Sequence, residues 1–175
     1  MAISNLIKTS NRLVKQLAYL LVASSMLFTQ AHALKIGDKA PDFTLKAMSG
    51  KNLKLAEQRG QIIVLNFWAS WCGPCRKEMP VLQKFYDKYQ DLGVSVWGVN
   101  VEQENQAGRD FLADLDLSFP IFFDDSNTIS ENYQVEAMPT TVILDRNGII
   151  RYTFKGYRDG YEKKYAKAIK TLIRE

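Results

Sequence analysis

Ile62-Ile63-Val64-Leu65-Asn66-Phe67-Trp68-Ala69-Ser70-Trp71-Cys72-Gly73-Pro74-Cys75 is the stretch whose reading decides the fold of this chain. Its first seven residues are almost continuously apolar and rich in β-branched side chains. That is the pattern of a strand covered on both faces in the middle of a sheet. Behind it, Met79, Leu82, Phe85, Tyr86 and Tyr89 recur at helical spacing and predict a helix from about Cys72 to Asp91, which Gly93 stops. Val94 to Val101 repeats the buried-strand pattern. Strand, helix, strand at these lengths is a βαβ unit and requires a parallel pair.

Working outward, Glu102 to Gly108 reads as a polar loop, and Phe111, Leu112 and Leu115 suggest a second helix. Phe119 to Phe123 is a further strand, with Pro120 at its start or on an edge. Ile129 to Tyr133 is a short helix. Thr141 to Leu144 is a strand, Asp145-Arg146-Asn147-Gly148 a turn, and Ile149 to Tyr157 returns antiparallel. Tyr161, Tyr165, Ala168, Ile169 and Leu172 mark a closing amphipathic helix. Upstream, Lys35 to Pro41 is an extended lead-in, and the alternations Asp42–Leu45 and Asn52–Leu55 flank a Ser49-Gly50-Lys51 turn as a small hairpin. The order predicts an α/β fold with a central mixed sheet flanked by helices.

The first 33 residues have another character. Lys8, Arg12 and Lys15 give a basic start, Leu17 to Phe28 is apolar apart from Tyr19, Ser24 and Ser25, and Ala31-His32-Ala33 follows. Basic, apolar and A-x-A in that order predict a secretory signal peptide over 1–33, ahead of a single domain over 34–175. The rivals are a buried first helix and an uncleaved membrane anchor, for which the apolar run is short of the ~18 residues a span needs. The formal net charge of +4 falls to near +1 without the three cations of that segment. The basic pI therefore argues nothing about nucleic acid, since the remaining Lys and Arg are dispersed among Asp and Glu. The single histidine is His32, so the domain has no imidazole for a Ser-His or Cys-His nucleophile.

The chain contains two cysteines, three apart. A metal site needs about four soft ligands, and this set is half empty. A structural disulfide would suit an exported protein, but closing so small a loop restrains little chain entropy. A redox pair explains more. At the start of a helix, unpaired N–H groups and the dipole favour a thiolate on Cys72. Cys75, one turn further in, can resolve a mixed disulfide. Gly73 tolerates the tight turn, and Pro74 sits where its missing N–H costs nothing. A C-x-x-C at the strand-to-helix junction of a βαβ unit is a strong redox signal.

Trp71-Cys72-Gly73-Pro74-Cys75, the preceding Asn66-Phe67-Trp68-Ala69 and the Met138-Pro139-Thr140 before a strand resemble the thioredoxin superfamily. More closely, the chain resembles its exported TlpA/ResA-like branch. The Lys-Ile-Gly-Asp-Lys-Ala-Pro-Asp-Phe lead-in, Glu78 after Cys75, and a stretch between Asn100 and Pro139 long enough for an extra helix and strand carry that likeness. The resemblance implies Cys72 as nucleophile, Cys75 as resolving thiol, and Pro139 as a cis proline exposing the Met138 backbone to an extended substrate beside Thr140. It implies Trp71 as a surface platform, with core packing as its plain alternative. Glu78 is either a solvated first-turn carboxylate or a buried group that modulates the cysteines and relays protons. Cytosolic thioredoxin carries an aspartate where Asn66 stands here, and an amide cannot titrate.

The function the resemblance implies is an exported, periplasmic disulfide reductase without metal, cofactor or nucleic-acid partner. It would act on protein disulfides, an apocytochrome c cysteine pair among them, and be recharged by a membrane thiol donor. The Tyr133-to-Thr140 sequence lacks the pattern of dedicated cytochrome maturation factors. A periplasmic oxidant or isomerase, a peroxiredoxin-like peroxidase and a non-redox polypeptide-binding module stand as alternatives, though Cys72 follows Trp-Ala-Ser-Trp and not the proline- and threonine-containing loop of a peroxidase.

Overall fold

The computed structural model describes residues 33–175, so the signal-peptide reading of 1–33 lies outside the described residues. Leu34–Glu175 forms one compact unit. The elements run β1 (Thr44–Lys46), β2 (Asn52–Lys54), a 3-10 turn (Leu55–Gln58), β3 (Ile62–Trp68), α1 (Gly73–Tyr89), a 3-10 turn (Gln90–Leu92), β4 (Val94–Asn100), α2 (Gln106–Ala113), β5 (Ile121–Phe123), α3 (Thr128–Asn132), β6 (Thr140–Leu144), β7 (Ile150–Lys155) and α4 (Tyr161–Ile173). No helix among the described residues is long and apolar enough to cross a membrane.

The main sheet has the order β5-β4-β3-β6-β7, with β1 and β2 as a separate antiparallel hairpin. β3, β4 and β5 are parallel, β6 runs against them, and β7 is antiparallel to β6 and so returns in the direction of β3. The central place of β3 follows from its sequence, since all seven of its residues are buried. Ile62, Val64 and Trp68 face α1, α2 and α4 through Met79, Leu82, Phe111, Tyr165 and Ile169. Ile63, Leu65 and Phe67 face the other way, against Trp97, Phe122, Ile129 and Tyr133. A strand sandwiched this way needs apolar side chains at both phases of its two-residue period.

Boundaries differ from the sequence reading where a local constraint acts. α1 ends at Tyr89, and the chain tightens into a 3-10 turn that Gly93 closes with a φ of 77°. Pro120 holds the strand start back to Ile121. The loop expected through Gly108 turns helical at Gln106 instead, because Gly108 lets α2 lie close to the sheet: a Cβ there would sit 2.9 Å from both Asn100 Nδ2 and Phe123 Cε1. The lead-in is tied to the turn between β6 and β7 by bonds from Gly37 N to Ile150 O, Ile150 N to Asp38 O and Ala40 N to Gly148 O.

Leu65, wholly buried in β3, has sheet on both edges and side chains on both faces, so little can collapse into the space it fills. Leu65→Ala is expected to cost about 2–5 kcal/mol in denaturant unfolding.

Candidate active site

β3 delivers the chain to the site. Beyond Trp68 the backbone turns through Ala69, Ser70 and Trp71, with Cys72 N donating to Ala69 O at 3.2 Å, and α1 begins at Gly73. A carboxylate clamps this turn. Glu102, just past β4, accepts from Ser70 N at 2.7 Å, Ser70 Oγ at 2.6 Å and Asn100 Nδ2 at 2.8 Å. Partial burial pushes Glu102 up, but its donors Asn100 and Ser70 outweigh that and hold the carboxyl below its ordinary value. Glu102 read as plain loop polarity in the sequence, and no spacing signal ties it to Ser70.

Cys72 is the N-cap of α1. Its Sγ accepts from Cys75 N at 3.1 Å, and Pro74 occupies the first turn. A sulfur placed there meets a backbone donor and the positive end of the helix dipole, which stabilise its thiolate when the pair is reduced. Here the pair is closed as a disulfide with an S–S distance of 2.09 Å. Cys72 retains 4% exposure and Cys75 1%, while Trp71 beside them is 71% exposed, which rules out the core-packing reading of Trp71.

The Met138–Pro139 peptide bond is cis. Antiparallel pairing of β3 with β6 sets Phe67 opposite Thr140. Met138 and Pro139 therefore emerge at the same end of the sheet as the Ala69–Cys72 turn. Thr140 Oγ1 donates to Ala137 O at 2.7 Å, and Gly156 N to Pro139 O at 2.7 Å, which fix the segment on both sides. Among the described residues the Met138 N–H and C=O take no backbone partner. Two clefts adjoin this end. One of about 670 Å³ is lined by Gly73, Pro74, Lys77, Tyr157, Arg158 and Asp159. The other, of about 350 Å³, is lined by Val101, Ser130, Glu131, Glu136 and Met138 among others.

Glu78 is fully buried and lies beyond the first turn of α1, which removes the reading of a solvated first-turn carboxylate. It lies one helical turn behind Cys75, on the same face of α1. Its Oε1 accepts from Thr141 Oγ1 at 2.8 Å and Tyr165 Oη at 2.7 Å, and its Oε2 from Asn66 Nδ2 at 3.0 Å. Burial pushes the carboxyl up, and the bonds from Tyr165, Thr141 and Asn66 only partly offset this. Thr141 and Tyr165 escaped the sequence reading because each also satisfies an ordinary pattern, a buried strand position and an amphipathic helix stripe. Among the described residues no group of His, Cys, Asp and Glu is arranged to hold a metal.

The arrangement can pass two electrons by thiol–disulfide exchange, with a nucleophilic sulfur at a helix start, a resolving sulfur three residues on and a buried carboxyl behind it. Comparison with known proteins agrees. The AhpC/TSA family model matches residues 36–153. The thiol-disulfide oxidoreductase ResA of Geobacillus kaustophilus is 34% identical over 85% of this chain and 90% of its own length. The thioredoxin-like protein YneN of Bacillus subtilis is 42% identical over 66% of this chain and 68% of its own. Among solved structures, a Chlorobium tepidum protein described as a thiol:disulfide interchange protein DsbE superposes with a TM-score of 0.77. It is 35% identical and covers 80% of this chain and 99% of its own.

A carboxyl held above its unfolded value of 4.5 binds its proton more tightly in the folded protein. The stability this adds is complete below 4.5 and is lost as pH rises through the folded value. Relative to their difference near pH ~4, Glu78→Gln is therefore expected to gain stability over the parent as pH rises. Thermal unfolding of both oxidised proteins across pH checks this, and a constant difference refutes it.

Proposed function

The chain belongs to the AhpC/TSA family and is a thiol–disulfide oxidoreductase, and from that premise we propose that it is an exported reductase of protein disulfides. The observation that carries the reading is the placement of Cys72 Sγ on the Cys75 N–H at the start of α1, with Glu78 buried one turn behind. Export is supported by the basic, apolar and A-x-A order of residues 1–33, which favours a periplasmic domain over 34–175. The reducing direction is supported by the Gly73-Pro74 dipeptide and the likeness to the TlpA/ResA branch. The substrates are proteins, with an apocytochrome c cysteine pair as one candidate, and a membrane thiol carrier supplies the electrons.

In the reaction the Cys72 thiolate attacks a sulfur of the substrate disulfide. An S–S bond forms between them, and the other substrate sulfur leaves with the electron pair and takes a proton from solvent. Trp71 gives an exposed apolar platform beside the nucleophile, and the free Met138 backbone beside Pro139 and Thr140 pairs with the substrate in extended form. Cys75 then gives its proton to Glu78 and attacks Cys72 Sγ. The Cys72–substrate bond breaks, and the second substrate sulfur leaves as a thiolate and is protonated. Two electrons and two protons have passed to the substrate, and the pair is left as the disulfide seen here. Glu78 suits the proton step because a carboxyl with a raised pKa lies closer to the thiol range.

The reduction potential of the pair, read in graded thiol/disulfide buffers, is expected below roughly −220 mV, nearer thioredoxin at about −270 mV than a strong oxidant at about −120 mV. A value above roughly −150 mV would reverse the direction. Cys75→Ser should trap substrates as mixed disulfides on Cys72, visible on non-reducing gels, and Cys72→Ser should trap none. Glu78→Gln should slow disulfide reduction about tenfold or more and alter its pH profile; kinetics unchanged across pH would remove Glu78 from the mechanism.

A further inference from the structure

Three side chains donate to Glu78, and they are not equivalent. Asn66 and Thr141 face each other across β3 and β6, so sheet register alone brings them together. Tyr165 arrives from α4, 87 residues along the chain, and its hydroxyl reaches Oε1 at 2.7 Å. The ring is fully buried and held by Phe154, Phe85 and Tyr161 at centroid distances of 4.8, 6.3 and 6.2 Å. A phenylalanine would meet every one of those packing contacts. The hydroxyl is the part that packing does not explain.

We propose that Tyr165 is a positioning residue for the exchange reaction: by donating to Glu78 Oε1 it holds the carboxyl in its proton-accepting form and so sets the pH range in which Cys75 can be deprotonated. This rests on the reading of Glu78 as the proton acceptor. A buried carboxylate needs a cation or a full set of donors. Among the described residues none of the ion pairs involves Glu78, so donors do the whole task. The groups facing it are Asn66 from β3, Thr141 from β6, Tyr165 from α4 and, through space, Tyr157 from the loop before α4, which in turn feels Glu162 and Asp159. Burial and the charge of Glu78 push the Tyr165 hydroxyl far above its ordinary value, so it stays protonated and remains a donor.

The site also has a place for the proton once it arrives. Oε2 abuts Asn66 Nδ2, a donor, at 3.0 Å, while Asn66 Oδ1 is buried without a partner. A half-turn of that amide, which gives up the Nδ2 bond to Thr141 Oγ1 at 2.9 Å, presents Oδ1 to a protonated Oε2. Glu78 can thus take the Cys75 proton as Cys75 Sγ bonds to Cys72 Sγ, and return it to the departing substrate thiolate, ending unchanged.

The test is Tyr165→Phe, which keeps the ring. Its carboxyl titration is followed by 13C NMR in the oxidised protein, where neither cysteine titrates, and the pH profile of insulin reduction is measured with the pre-reduced protein. Loss of one charge-assisted bond should raise the Glu78 midpoint by about one pH unit. Reduction should fall about tenfold at pH values below the parent's Glu78 midpoint and recover at higher pH. Replacing Tyr165 by a fluorinated tyrosine, a stronger donor, should move both midpoints the other way. A merely structural role would lower the melting temperature and leave the midpoints in place, which overturns the inference while leaving the Glu78 reading intact. A carboxyl midpoint that rises with no change in the rate profile removes Glu78 from proton transfer, and this inference falls with it.

Discussion

A carboxyl group buried behind a disulfide, with donors and, among the described residues, no cation beside it, is the constraint on which the arrangement of this protein's site depends. An unpaired carboxylate at that depth would be untenable. To keep Glu78 there, α1, β3, β6 and α4 must each bring one polar atom to the same point. The sheet order follows the same need, since β6 must lie beside β3 for Asn66 and Thr141 to meet, and α4 must cross the face that α1 covers. The polar cluster thus specifies a geometry that apolar burial alone would leave loosely defined.

Around that point the division of labour is clean. The twofold-buried β3 is the fixed axis, and the nucleophile hangs from its end on a short turn. Glu102 secures the turn from the β4 side through Ser70, and Cys75 secures it from the helix side through its N–H. The groups proposed to meet the substrate, Trp71 and the Met138 backbone, are the ones left exposed or unbonded. Groups that need a constant environment are buried, and groups that meet a varying partner are not.

Much of this was legible in the sequence. The apolar run of β3, the helical spacing behind Cys75 and the return through Asp145–Gly148 each admit one reading, because a period of two, a period of 3.6 and a turn of Asp, Asn and Gly are physically distinct. What could not be read is depth. Carboxylates near the start of a helix are usually solvated, and nothing local to Glu78 says that three distant donors converge on it. Tyr165 was hidden for a similar reason, since one tyrosine in an apolar stripe looks the same whether its hydroxyl is idle or bonded. The Glu102 clamp joins residues 32 apart across two strand ends, a pairing that only the fold creates.

The disulfide between Cys72 and Cys75 uses every cysteine the chain has. A protein that matures where thiols are oxidised normally risks misconnected isomers, and their number grows steeply with the cysteine count. Here the count of intramolecular isomers is one. Oxidation during folding can produce no scrambled species that must later be edited, and a mixed disulfide on Cys72 meets no third internal thiol that could divert it. A protein whose own chemistry is thiol–disulfide exchange is thus immune, by simple combinatorics, to internal mispairing.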